Sequence, residues 1–318
     1  MTTYIIRRFL QSIVVLILVT MIVFFSMRLL PGDPILMLIT VDDLANTSEA
    51  EIEALRKEYG LDKPMALQYL DWLMGVVQGD FGRSIVNGGP VINDIVDRLP
   101  ITLYLGILAF AISIIVGIPL GIISAVRRGK WVDTWVTVMA NLGITVPQFW
   151  LGVLLIYLFA LYLGLLPVQG YTSPFDNFWL SFRKILMPVF CLSIFPIASS
   201  ARQTRSSMLE VMGQDYIRTA WSKGLRERMV IFRHALKNAL IPVVTLKGMM
   251  LRNIFGGSVL IETVFNIPGM GRLAVDAVLA QDYAIVQGVT LLIVIVVLFA
   301  NLLVDLSYGW LDPRIRYG

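Results

Sequence analysis

The sequence predicts an all-α integral membrane protein, and three observations carry that prediction. Of its 318 residues 57% are hydrophobic and only 15% charged, with a mean hydropathy of +0.76, well beyond soluble domains. Uncharged runs at 9–27, 99–126, 134–175 and 283–304 are each long enough, as helices, to cross a hydrocarbon layer of roughly 30 Å, which takes about 20 residues. The cations collect between apolar runs, with eight of the 26 Lys and Arg falling in residues 202–237.

The first run follows Arg7 and Arg8. Its 19 residues exceed a signal-peptide core, and no small-x-small cleavage site follows Met27, so residues 1–30 read as a retained first helix. The next segment, 31–98, holds 12 acidic and five basic residues, negative by seven where the rest of the chain is positive by 11. It is long enough for a small helical cap outside the membrane. Ser48 and Glu51 are spaced as a capping box opening a helix that Gly60 can close. Pro64 suits the first turn of a second helix running toward Gly79, with Leu67, Leu70, Leu73 and Met74 on one face. Such a cap either meets something outside or braces the helices.

Residues 99–318 then supply a five-helix core. Gly117 and Gly121 are spaced for close helix packing, with Pro119 between them able to kink the helix. The uncharged run 134–175 spans 42 residues and could hold one helix with an extension or two tight ones. Charge decides. With one helix, 15 Lys and Arg gather on the cytoplasmic side: Arg7, Arg8, Arg127, Arg128, Lys130, the eight of 202–237, Arg314 and Arg316. Two helices would put the basic loop outside, against the positive-inside tendency. The prediction is six transmembrane helices with both termini cytoplasmic.

Residues 185–201 form a shorter run, and 238–261 is apolar apart from Lys247 and Arg252. A cation at mid-membrane costs about 2.5–3.5 kcal/mol on insertion scales, so both should face a neighbouring helix or a wet cavity, or snorkel to the headgroups. Asn141, Gln148, Asn253, Asn301 and Asp305 are the other polar side chains in or near the spans. Asn141, Gln148, Lys247, Arg252 and Asn253 are the candidates to line a translocation path; the alternative for each is to satisfy a neighbouring helix.

Several chemistries lack their residues. With one histidine, His234, and one cysteine, Cys191, a His/Cys zinc site and an internal disulfide have no constituents, and a membrane-embedded Ser-His protease is not expected because His234 falls in the basic loop rather than among the spans. The only Gly-Lys pair, Gly129-Lys130, is followed by Trp131, so no phosphate-binding loop is present and the chain cannot hydrolyse ATP by that route. Gly269, Gly271 and Ala274 satisfy a dinucleotide fingerprint without the βαβ unit it requires, and read instead as a tight external turn. Nothing points to nucleic acid.

The basic stretch 202–237 carries a short amphipathic helix. Asp215 can cap it and Gly224 can stop it, with Tyr216, Ile217, Ala220 and Trp221 on one face and Arg218, Ser222 and Lys223 turned elsewhere. About ten residues are too few to be stable alone, so the apolar face docks on protein or lies on anionic lipid.

Tyr216 to Pro242, YIRTAWSKGLRERMVIFRHALKNALIP, resembles the cytoplasmic EAA loop of ABC importer permeases, in the form found in the dipeptide/oligopeptide/nickel family. That pattern is Glu-Ala-Ala, three residues, Gly, nine residues, then Ile-x-Leu-Pro. With its glycine on Gly224, the triplet falls on Arg218, Thr219 and Ala220 and the closing four on His234, Ala235, Leu236 and Lys237. Ala220, Gly224 and Leu236 match; Arg218 replaces the acid and Lys237 the proline. LPGDP at Leu30 to Pro34, YGLDKPMALQYLDWL, GDFGRS at Gly79 to Ser84, GGSVLIETVFNIPGMGRL at Gly256 to Leu273 and the terminal DPRIRYG are similar to the first, B-type subunit of that family. The resemblance covers nearly the whole chain.

It implies the type I importer permease fold in a prokaryotic inner membrane, and a non-catalytic subunit. Its implied partners are a second six-helix permease of C type, two cytoplasmic ABC ATPases that bind the ATP and Mg, and an extracytoplasmic solute-binding protein. The helix 215–224 would couple to an ATPase through Asp215, Tyr216, Ile217, Ala220, Trp221 and Gly224. Peptides lead as cargo, with nickel, metal chelates and oligosaccharides as the family's alternatives. An ion-coupled secondary transporter, the other class, would want intramembrane carboxylates and a repeat between halves; the spans offer little beyond Asp305.

Overall fold

The computed structural model describes residues 2–29, 35, 48–251 and 254–311. Among the described residues the regular elements are helices, joined by turns and loops, with one isolated bridge from Arg83 to Pro90. In order they form α1 (Thr2–Leu29), α2 (Glu49–Glu58), α3 (Met65–Val77), α4 (Val91–Val126), α5 (Trp131–Thr145) and α6 (Gln148–Leu155), the last continued by a π-helical segment, Ile156–Tyr162. There follow α7 (Phe178–Met212), α8 (Asp215–Ser222), α9 (Leu236–Leu251), α10 (Ile254–Val264), α11 (Met270–Leu279) and α12 (Tyr283–Leu311). A helical turn at Glu227–Met229 and a π-helical segment at Val230–Ala235 lead into α9.

Among the described residues five stretches are long and apolar enough to cross a membrane: Leu10–Leu29, Val91–Val126, Phe178–Met212, Glu227–Met250 and Tyr283–Leu302. The run 134–175 differs from expectation. It is neither one straight helix nor two spans, but α5 and the α6 segment bent by 101°. Pro147 has no amide hydrogen to donate and excludes the residue before it from helical geometry, so Val146 is extended at φ −71°, ψ 125°. The pair counts as a sixth span only if both halves are taken together.

Two helices outrun the uncharged runs that announce them. The 36 residues of α4 reach about 54 Å at 1.5 Å per residue, far more than the hydrocarbon layer needs. α7 starts where Asn177 Oδ1 accepts from the Leu180 amide (3.0 Å). It then runs past the 185–201 stretch, through Arg202 and Arg205, to Met212. Much of the basic stretch 202–237 is therefore helix: polar residues at a membrane surface break the hydropathy signal without breaking the hydrogen-bond ladder.

The chain divides into two compact units, 1–102 with 268–299 and 103–267 with 300–318. The first holds α2 and α3. Their capping box is formed: Ser48 Oγ accepts from the Glu51 amide (3.3 Å), and Glu51 Oε2 from the Ser48 amide (2.8 Å). Pro64 is the N-cap of α3. The face of α3 that packs is aromatic, not the predicted leucine row. Tyr69 is buried, its hydroxyl 3.1 Å from Thr20 Oγ1 and its ring edge-on to Phe24 of α1, while Leu67, Leu70 and Met74 are at least half exposed. Large rings bury more area per residue than leucine, and the hydroxyl finds a partner in the same contact. Behind them, Met27, Val91, Ile95, Met270, Tyr283 and Val289 form the unit's core. Asp282 sits just before α12, buried, its Oδ2 accepting from Ser84 Oγ at 2.5 Å and its Oδ1 from the Ile285 amide at 3.3 Å. Gly269 and Gly271, expected in a turn, instead cap and enter α11; the turn before it uses Asn266 at φ 51°.

In the second unit α7 is the spine, in contact with α5, α6, α8, α9 and α10. α4 meets it at the two small residues flagged by their spacing. A Cβ on Gly117 would lie 2.8 Å from the Ile197 carbonyl oxygen, and one on Gly121 would lie 2.6 Å from that of Ala201 and 2.5 Å from Thr204 Cβ. Hydrogen alone fits at either position.

Candidate functional site

The turn between α4 and α5 is fastened to α7 by one carboxylate. Asp133, 5% exposed on the first turn of α5, accepts from Arg205 Nε at 2.6 Å and Ser124 Oγ at 2.6 Å on Oδ1, and from Arg205 Nη2 at 2.9 Å and the Gly129 amide at 3.0 Å on Oδ2. Both lone-pair regions are filled and the guanidinium is held bidentately, the geometry in which such a pair repays its desolvation. Three elements, the end of α4, the start of α5 and α7, are thereby fixed at the basic end of the unit.

Seven residues beyond Arg205, α7 ends and α8 begins. Gln214, not Asp215, is its N-cap, with no side-chain hydrogen bond; Asp215 is the first helical residue and accepts from Arg218 Nη1 at 3.3 Å. The helix ends at Ser222, and Gly224 reverses the chain at φ +71°, a conformation in which a side chain is strained. Nothing lies within 4 Å of where its Cβ would be, so the glycine is needed for backbone conformation and not for space.

The amphipathic face is real, but two of its four residues face the chain itself. Ile217 and Ala220 are buried in a cluster with Ala125, Met208, Val230, Ile231, Ala235 and Ala239. The short helix gains stability by docking its apolar stripe onto α4, α7 and the segment leading to α9. Tyr216 and Trp221 flank the stripe, 43% and 42% exposed, and the Tyr216 hydroxyl accepts from Asn238 Nδ2 at 2.8 Å. Asp215, Arg218, Thr219, Ser222 and Lys223 are exposed on the opposite side.

Among the described residues, the path candidates Asn141, Gln148 and Lys247 lie in separate surroundings. Asn141 is exposed on α5, in a small pocket shared with Arg202 and Arg205. Gln148 opens α6, half-buried. Lys247 is 6% exposed, inside its own unit: Nζ donates to Ser113 Oγ at 2.5 Å and lies 5.5 Å from the centre of the Phe110 ring. It therefore faces α4 and neither snorkels nor lines an open route. Arg252 and Asn253, the motifs at Leu30 to Pro34 and the terminal DPRIRYG lie outside the described residues, as does the side chain of Asp305. Sequence reasoning missed the Asp133–Arg205 pair, although Asp133 is the single acid between residues 98 and 175, a signal that it had a fixed partner. It also missed Glu262, fully buried on α10.

Long apolar helices, a bent helix pair and a short amphipathic helix packed against them define a multi-pass membrane protein. The comparisons agree. The chain belongs to the family described as binding-protein-dependent transport system inner membrane component, which it matches over residues 117–317, and residues 1–106 match that family's N-terminal component. A protein of Brucella abortus (strain 2308) is 45% identical over 319 residues, covering all of both chains. The oligopeptide transport system permease protein AppB of Bacillus subtilis (strain 168) is 40% identical over 320 residues, again end to end. The dipeptide transport system permease protein DppB of Escherichia coli (strain K12) is 38% identical over 340 residues, covering all of this chain and 99% of DppB. Among solved structures, an inward-facing form of the MetNI methionine ABC transporter superposes with a TM-score of 0.55 at 18% identity, over 68% of this chain and 95% of that one; it shares the fold.

Proposed function

We propose that this chain is a permease subunit of an ATP-driven importer of di- or oligopeptides, a multi-pass inner-membrane protein that forms half of the translocation pathway. Its end-to-end likeness to AppB and DppB supports the peptide cargo. The observation that carries the mechanism is α8: an eight-residue helix whose inner side is locked into the core and whose outer side is free.

On this reading the basic end of the second unit is cytoplasmic, as are both termini, and the exposed side of α8, with Asp215, Arg218, Thr219 and Ser222, rests on a cytoplasmic ABC ATPase. Tyr216 and Trp221 border that contact; Ile217 and Ala220 pass its displacement inward. Because they sit against α4, α7 and the segment entering α9, movement of α8 shifts these elements as a body, and the bidentate Asp133–Arg205 pair makes the α4–α5 turn follow α7. Closure of two ATPases on ATP would thus turn the pathway from inward-facing to outward-facing. A second permease completes the pathway, and a solute-binding protein delivers cargo on the far side. The ATP and its Mg belong to the ATPases.

The test is reconstitution in proteoliposomes with the second permease, the ATPases and the binding protein. Peptide uptake should require ATP. Gly224→Val should leave assembly largely intact while abolishing uptake and ATPase docking. Unchanged uptake by that variant would contradict the coupling assignment, and uptake by this chain alone on a proton or sodium gradient would contradict the importer reading.

A further inference from the structure

On the surface of the second unit an apolar groove of about 460 Å³ opens between α4, α5 and α7. Trp135 and Met139 of α5 and Phe190 of α7 line it and are 59%, 44% and 46% exposed. It follows α7 from Phe190 to Ala201, which at 1.5 Å per residue is about 16 Å, the depth of one leaflet in a hydrocarbon layer of roughly 30 Å.

At its Ala201 end the groove meets a small polar pocket, the two sharing Val136, Ala140 and Ala201 as walls. That pocket is lined by Asn141, Thr137, Arg202 and Arg205. Arg205 is engaged by Asp133. Arg202 is exposed and makes no ion pair or hydrogen bond among the described residues. It is also the first charge after the uncharged run 185–201, which sets it at headgroup level.

We infer that this groove binds an anionic phospholipid from the leaflet at the basic end of α7, with an acyl chain between α5 and α7 and the phosphate at Arg202. Three matches favour a lipid: one-leaflet depth, an apolar wall along that depth, and an uncommitted cation where the headgroup lies. A helix of a second permease, the competing occupant, would fill the groove without needing a cation at its mouth.

Native mass spectrometry of the purified full chain in detergent, with phosphatidylglycerol or phosphatidylcholine added, tests this directly. One phosphatidylglycerol should be retained at least tenfold more tightly than phosphatidylcholine. Arg202→Glu should remove that preference, with Arg202→Gln as a milder variant on the same exposed site. Ala198→Phe, which fills the groove, should lower the number of retained lipids of either headgroup by one. Equal retention of the two lipids, or an unchanged preference in both Arg202 variants, would overturn the inference. In the assembled transporter a photoreactive benzoylphenylalanine at Met139 should yield a lipid adduct; a cross-link to the second permease instead would also overturn it.

Discussion

Replacing Asp133 with Asn is the sharpest test of how the second unit is held together. The carboxylate receives four hydrogen bonds, two from Arg205 and one each from Ser124 and the Gly129 amide. An asparagine can keep those on one oxygen; its amide nitrogen then faces two donors, and Arg205 loses its counter-ion. Breaking a buried pair by removing one partner costs about 3–5 kcal/mol. Because the Arg205 side chain is 30% exposed, water recovers part of its solvation and the lower end applies, about 3 kcal/mol. For a chain of this size that corresponds to a fall in Tm of roughly 4–5 °C. Cys191 provides the assay: it is the only cysteine and fully buried, so a thiol-reactive fluorophore reports unfolding of the purified chain in detergent. The double variant with Arg205→Gln should lose clearly less than the two single losses added, since neither partner is then stranded. A shift under about 1 °C for Asp133→Asn, or simple additivity in the double variant, would refute the reasoning.

Three further outcomes follow from the packing. Gly121→Ala should destabilise by about 1–3 kcal/mol, because a methyl group there meets the Ala201 carbonyl oxygen and Thr204 Cβ, neither of which can move without the α7 backbone; an unchanged melting temperature would mean the helices are not in that contact. Ser113→Val should lower the melting temperature by stranding the Lys247 ammonium, at a cost of about 1–3 kcal/mol, and adding Lys247→Met should restore it; failure of the rescue would separate Lys247 from Ser113. The Glu51 carboxylate, held below its ordinary value first by the Ser48 amide and then by its hydroxyl, should titrate by NMR at a lower pH than an unperturbed glutamate. Its pKa is depressed on folding, so its contribution is complete above the unfolded value and is lost as pH falls through the folded one. Ser48→Ala should move the midpoint upward.

Much was legible along the chain because the bilayer writes itself into sequence. Runs of apolar residues marked where most spans lie, since an unpaired charge in hydrocarbon is costly wherever the neighbours are, but not the bend at Pro147 or the start of the Glu227–Met250 span. Local chemistry was equally readable. The Ser48–Glu51 box and the Gly224 stop involve residues within a few positions of each other, and Gly117 and Gly121 announced a close approach.

What the tertiary structure decided was which partner each feature meets. Periodicity put Tyr216, Ile217, Ala220 and Trp221 on one stripe, but only packing showed Ile217 and Ala220 turned into the chain, leaving the polar side outward. Hydropathy could not see α7 continue through Arg202 and Arg205, because a helix needs only its own backbone bonds to cross from lipid into water. Nor could it see Asp133 reach Arg205, 72 positions away, or Lys247 reach Ser113 across 134. Solvation and backbone geometry are local properties of sequence; the pairing of buried polar groups depends on how distant helices are brought together.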